Sequence, residues 1–120
     1  MYDHVGLNVS DLSASVRFYS AALAPLGHVV ASQDASSAGI GPKEAPALWL
    51  YANGGRSKGK THVAFRASDK KAVDRFHAGG IAAGGKDNGA PGVRADYSEN
   101  YYAAFLIDPD GNNVEAVFLG

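Results

Sequence analysis

The sequence predicts an α+β fold of two pseudo-symmetric βαβββ modules, forming a curved mixed sheet with a concave cleft and the helices outside. Three observations predict it. Part of the chain occurs twice, 58 positions apart, so that His4-Val5-Gly6-Leu7-Asn8-Val9 is echoed by His62-Val63-Ala64-Phe65-Arg66-Ala67. The match runs on through Ser10/Ser68, Asp11/Asp69, Ala14/Ala72, Arg17/Arg75 and Phe18/Phe76, giving seven identities in 21 positions, where ordinary composition gives about one or two. Each copy passes from period-two to helical apolar spacing, and each is followed by short strand-like runs bounded by Gly, Pro, Asn and Asp. A duplicated module with one imidazole per copy brings two ligands toward one place by pseudo-symmetry.

The elements follow in order. Residues 2–9 alternate, with Val5, Leu7 and Val9 on one side and His4, Gly6 and Asn8 on the other, as in a half-buried strand. Ser10 or Asp11 caps a helix carrying Leu12, Val16, Tyr19 and Leu23 at helical spacing, with Gly27 beyond its end. Val29-Val30, Ala38–Gly41 and Ala47–Tyr51 read as strands, the last closed by Asn53-Gly54-Gly55. The linker Gly55-Arg56-Ser57-Lys58-Gly59-Lys60 is read as solvated; its basic residues could also meet an anion. In the second copy Asp69 caps a shorter helix, with a poorer core face, that Gly79-Gly80 is expected to break. Residues 86–100 read as a long Gly- and Pro-bearing loop. The strands Tyr101–Ile107 and Val114–Leu119 follow, joined by Asp108-Pro109-Asp110-Gly111-Asn112-Asn113, which has hairpin residues rather than a calcium loop's sixth-position glycine and distal glutamate. Residues 1–120 are thus expected to form a single domain, module 1 over about 1–55 and module 2 over about 60–120.

Composition narrows the function. A net charge of −1 with 46% hydrophobic and 19% charged residues gives no electrostatic footprint for nucleic acid. The absence of cysteine removes disulfides, thiolate metal sites and a cysteine nucleophile. No apolar run is long enough to span a membrane, and Met-Tyr-Asp-His-Val lacks signal-peptide character. A cytoplasmic protein is expected, and the Asn8-Val9-Ser10 sequon is read as accidental.

Chemistry then has to come from a site. His4, His62, Arg66 and Glu115 lie in strands and point away from the helix-packed side. A carboxylate flanked by apolar strand residues, as in Val114-Glu115-Ala116, is costly to bury unless paired, hydrogen-bonded or bound to a metal. Two imidazoles and this carboxylate on one inner surface suit a divalent metal with open positions. His28 and His77 are not matched by a second histidine in the repeat, falling opposite Lys86 and Tyr19, and are read as surface or supporting groups. Asn8, Trp49, Arg66 and Tyr101 are the candidate substrate-binding residues, with Tyr102 or Phe105 as alternative aromatics.

Three stretches carry a resemblance over essentially the whole chain. They are Asp3–Leu12 with Arg17-Phe18-Tyr19 and Leu26-Gly27, then Thr61-His62-Val63-Ala64-Phe65, then Asp108–Glu115. Together they resemble the glyoxalase/bleomycin-resistance/dioxygenase family, the vicinal oxygen chelate superfamily. The resemblance implies paired modules around a cleft and one divalent metal (Zn, Ni, Fe, Mn or Mg) held by His4, His62 and Glu115. It implies a small oxygen-rich substrate, a homodimer in which some members share one site between chains, and a glyoxalase-like lyase or isomerase in which Glu115 is also the catalytic candidate. Glyoxalase I carries a fourth ligand on the last strand of its first module, and sliding Asn113–Ala116 onto Ala47–Leu50 places Trp49 there. A three-ligand set resembles dioxygenases and thiol transferases as well. An antibiotic-sequestering protein without turnover is the alternative from another class.

Overall fold

In a computed structural model describing residues 1–52 and 61–120, the first module runs β1 (Val5–Val9), α1 (Leu12–Leu23), β2 (Val29–Gln33), β3 (Ser37–Gly41) and β4 (Leu48–Ala52). The second runs β5 (His62–Arg66), α2 (Lys70–Ala82), β6 (Lys86–Val93), β7 (Tyr101–Ile107) and β8 (Asn113–Leu119). The strands form two four-stranded sheets, β1-β4-β3-β2 and β5-β8-β7-β6. In each, the first strand lies parallel to the last and the other pairs are antiparallel. This is the expected βαβββ plan, twice. Asn53-Gly54-Gly55 and the basic linker Gly55–Lys60 lie outside the described residues.

The repeated aspartates start both helices. The Asp11 carboxylate accepts from the Ala14 amide at 3.1 Å and Asp69 from Ala72 at 2.7 Å, each satisfying an amide that the first helical turn leaves unpaired. One face of α1 buries Phe18, Tyr19, Ala22 and Leu23, and one face of α2 buries Val73 and Phe76. Both join Leu7, Val9, Ile40, Leu50, Leu106 and Val114 in one apolar cluster. Among the described residues no helix is long and apolar enough to cross a membrane.

Two expectations are corrected here. The second helix is not shorter: it has 13 residues against 12 and runs straight through Gly79-Gly80. These glycines are the repeat equivalents of Ala21 and Ala22, 58 positions earlier. A Cβ on Gly79 would lie 2.9 Å from the Ala21 carbonyl oxygen, and one on Gly80 only 2.3 Å from Leu106 Cδ1 and 3.4 Å from Ala22 Cβ. The helices therefore cross at equivalent turns, and the contact is close enough that one partner must lack side chains. Tertiary packing overrides the roughly 1 kcal/mol penalty of a helical glycine.

Residues 86–100 are also not one loop, because β6 occupies Lys86–Val93. Its pairing with β7 slips between Asp87 and Gly89 and again between Gly89 and Gly92. Pro91 falls in the second slip, on a strand with one neighbour, where a missing amide hydrogen is tolerated.

The β7–β8 turn is a turn, as expected, and it also ties the modules together. Asp108 accepts from the Asp110 and Asn112 amides at 2.9 and 2.8 Å, while its other carboxylate oxygen accepts from the buried Tyr19 hydroxyl of α1. Asp110 accepts from the Ser10 amide at 3.0 Å, and the Asn112 side chain accepts from the Thr61 amide at 3.1 Å. The acidic spacing that superficially suggests calcium is thus spent on capping the turn. Burial first, and Asp108 second, push the Tyr19 hydroxyl above its ordinary pKa.

Candidate functional site

Each sheet has one face on the helices and one without. On β5 the helix-free face carries His62, Ala64 and Arg66, and the parallel register opposes Ala64 to Glu115 on β8. Antiparallel pairing then sets Phe105 of β7 beside Glu115. Tyr101, four residues before Phe105, lies on the same face.

Glu115 is only 2% exposed. A carboxylate so buried needs partners, and it has two: one oxygen accepts from the Tyr101 hydroxyl, and the other lies 3.0 Å from His62 Nε2. Burial first, and the bond to Glu115 second, push the Tyr101 hydroxyl up to about 12. It stays a donor across the working pH range.

The His62 ring is fixed from behind. Its Nδ1 lies 3.1 Å from the Asn113 carbonyl oxygen, which can only accept, so Nδ1 carries the hydrogen in that bond. A neutral imidazole then aims the Nε2 lone pair at a carboxylate oxygen 3.0 Å away. Two acceptors so placed repel unless a positive charge lies between them. That charge is either a proton on Nε2 or a bound cation. The spacing suits either: it is an ordinary N–H···O distance, and two ligands each about 2.1 Å from one ion and 90–110° apart are separated by about 3.0–3.4 Å.

The first module repeats the geometry with different chemistry. Gly6 opposes Trp49 as Ala64 opposes Glu115, so Trp49 occupies the position equivalent to Glu115. The Trp49 ring lies over Gly39, where an added Cβ would come within 2.8 Å of it, and Tyr51 covers Gly6 at the same distance. Tyr51 is not among the residues expected from the sequence; it opposes Asn8 and reaches diagonally over Gly6, a contact set by the β1–β4 register.

His4 stands just before β1, its Nδ1 2.7 Å from the Asp3 carboxylate. It borders an apolar cavity of about 210 Å³ lined by Leu23, Ile40, Leu48 and Phe65. That cavity does not include the His62–Glu115 pair. Among the described residues of one chain, no three of the His, Cys, Asp and Glu side chains gather as a metal site. The structure brings together two of the three expected ligands and leaves His4 elsewhere.

Asn8 and Arg66 are exposed on the first and fifth strands. His28 is half-buried, its Nδ1 without a hydrogen-bond partner among the described residues, and burial lowers its pKa. His77 bonds Asp87 at 2.8 Å. Among the described residues no hydrogen bond joins either of them to His62 or Glu115.

The profile of the glyoxalase/bleomycin resistance protein/dioxygenase superfamily matches residues 2–116. The chain belongs to that superfamily. A crystal structure of a glyoxalase/bleomycin resistance protein from Albidiferax ferrireducens is similar over 98% of both chains, with 32% identity and a TM-score of 0.84. A glyoxalase/bleomycin resistance protein/dioxygenase family enzyme from Burkholderia phytofirmans matches over 98% of both chains at 21% identity and a TM-score of 0.75, a likeness of fold. A glyoxalase I mutant from Zea mays matches over 96% of this superfamily member at 27% identity and a TM-score of 0.75, and the match covers 45% of the maize chain. No curated protein matches the sequence closely enough to count as a relative.

Proposed function

We propose that two copies of this chain form a homodimeric, cytoplasmic, metal-dependent enzyme acting on a small oxygen-rich molecule, with a glyoxalase-like lyase or isomerase as the nearest label. The observation that carries the reading is the His62 Nε2–Glu115 contact at 3.0 Å, which needs a positive charge between its two atoms while Nδ1 is already committed. His62 and Glu115 would be two ligands of one divalent ion, with nitrogen and oxygen donors that suit Zn, Ni, Fe or Mn. His4 of a second copy would be the third. The bound ion would supply a Lewis acid for a substrate oxygen.

The rest is done by this chain's own side chains. Tyr101 holds one Glu115 oxygen and leaves the other free to ligate, and the Asn113 carbonyl keeps His62 in the tautomer with Nε2 available. Support for sharing between copies comes from the sheet orders. β1 and β5, the strands next to or carrying the two histidines, are both edges with one hydrogen-bonded neighbour, and unpaired edges favour association with another chain. Asn8, Trp49, Arg66 and Tyr101 would line the substrate space.

Trp49 favours a second reading. With Trp49 where a second carboxylate would stand, and with Tyr51 beside it over glycines, the first sheet offers aromatic planes suited to holding a flat ligand without turnover. A dioxygenase or thiol transferase would also use three ligands. The test is calorimetric titration of Zn, Ni, Mn and Fe(II) into metal-free protein, with His4→Ala and His62→Ala alongside. Wild type binding one ion per chain, with both variants at least about 100-fold weaker, supports the enzyme. Equal binding by wild type and both variants removes its basis and leaves the sequestering reading.

A further inference from the structure

Besides Arg66 on β5, the helix-free face of the second sheet carries Arg94, a cation that the proposed metal site does not use. Arg94 follows β6, and its backbone amide bonds the Tyr101 carbonyl at 2.7 Å, so its side chain rises on the face of Tyr101 and Phe105. The guanidinium lies 5.4 Å from the Phe105 ring centroid. Its two terminal nitrogens donate to the Gly92 and Ala90 carbonyls, each at 2.8 Å. The bed beneath it is cleared by glycine: a Cβ on Gly89 would lie 3.1 Å from one terminal nitrogen, and one on Gly92 3.3 Å from the other.

This arginine is held in place but not neutralised. Among the described residues no carboxylate lies within ion-pair distance of it. A guanidinium has five N–H donors, and the two backbone bonds leave three for a ligand. Phe105 in turn stacks with the His62 ring, centroids 6.3 Å apart and planes 23° apart. An aromatic surface therefore runs from the cation to the His62–Glu115 pair, with Tyr101 and Tyr97 packed edge to face beside it at 5.0 Å.

We infer that Arg94 is the anchor for an oxyanion group of the substrate, so that the molecule taken by this face is a small carboxylate or phosphate whose body lies along Phe105 toward His62 and Glu115. The inference deepens the proposed function by naming the substrate class, and it rests on that reading for the word substrate alone. The planar fork of arginine recognises carboxylate and phosphate alike, whereas a neutral analogue gains nothing from it. Arg66 is the competing cation, exposed on β5.

The test uses metal-free wild-type protein, ¹⁵N-labelled, titrated with benzoate, phenyl phosphate and neutral benzamide, so that failure of metal binding does not alter the result. An anion should saturably shift the Arg94 Nε–H and the Phe105 amide, and bind at least about fivefold tighter than benzamide. Arg94→Gln should weaken the anion about tenfold and leave benzamide unchanged, with Arg94→Lys intermediate. Gly92→Ala keeps the charge but crowds its bed, and should weaken the anion as well; this variant and Arg94→Lys decide the matter if Arg94→Gln fails to fold. Benzoate binding tighter than phenyl phosphate assigns a carboxylate, and the reverse order a phosphate. Equal affinity for benzoate, phenyl phosphate and benzamide overturns the inference. So does anion affinity that survives in the folded Arg94 variants, or that is lost in Arg66→Gln instead.

Discussion

The two modules share a backbone plan and differ in what they mount on it. At the ladder position where module 2 places buried Glu115 beside Phe105, module 1 places Trp49 over Gly39. Where module 2 joins His62 to that carboxylate, module 1 leaves His4 with its sequence neighbour Asp3. The core-facing positions, by contrast, are equivalent in kind: Phe18 and Phe76 are both fully buried. Duplication thus fixes the scaffold through its inward residues and leaves the helix-free faces to diverge, one toward polar ligands and the other toward aromatic surface.

The largest expected effect breaks this asymmetry at its polar end. Glu115→Gln should reduce divalent-ion affinity by more than about 100-fold in calorimetric titration, whereas Trp49→Phe at the equivalent position should change it less than about twofold. Tyr101→Phe removes the donor that orients the carboxylate and should cost about 10–100-fold by the same measurement.

Stability measurements sharpen the comparison further. Tyr19 and His77 are repeat equivalents, yet Tyr19 donates to buried Asp108 and His77 to exposed Asp87. Tyr19→Phe should therefore destabilise by about 1.5–3 kcal/mol in urea unfolding, and His77→Gln by less than about 0.5 kcal/mol. Gly80→Ala, whose Cβ would press on Leu106 and Phe18, should cost about as much as Tyr19→Phe, since overpacking of that kind costs about 1–3 kcal/mol.

The Tyr19 contact also carries a pH signature. Its hydroxyl is raised in the fold by burial and by Asp108, so above about pH 10 the unfolded chain releases a proton that the native chain keeps. The contribution is complete below that pH and is lost as the pH rises further. Wild type should lose stability between about pH 10 and pH 11 more steeply than Tyr19→Phe, as read by urea midpoints.

Much of the scaffold was legible because the repeat exposes it. The capping aspartates, the twice-repeated βαβββ order and the hairpin residues at 108–113 all reappear in the structure. What misled was glycine. Local propensity treats Gly79-Gly80 as a stop and Gly89 to Gly92 as loop, but the first pair admits a helix crossing and the second sits at strand bulges. Arg94 was hidden by the same error, since a residue assigned to a long loop has no face. That His62 and Glu115 face one surface could be read from strand alternation, while the parallel register of β5 and β8 brings them into contact. The Tyr101 bond to that carboxylate could not, since it depends on how β7 pairs with β8 rather than on spacing along the chain.

In the proposed dimer a divalent ion would be held by His62 and Glu115 of one copy and His4 of another. Subunit mixing tests it most directly: His4→Ala and Glu115→Gln proteins are unfolded together, refolded at equal amounts and titrated with metal. Each variant alone should show no site of wild-type affinity, while the mixture should recover about a quarter of the wild-type sites, because half the dimers are mixed and each carries one intact site. A mixture that binds no more than its separate components, or a His4→Ala protein that alone binds like wild type, would contradict the account.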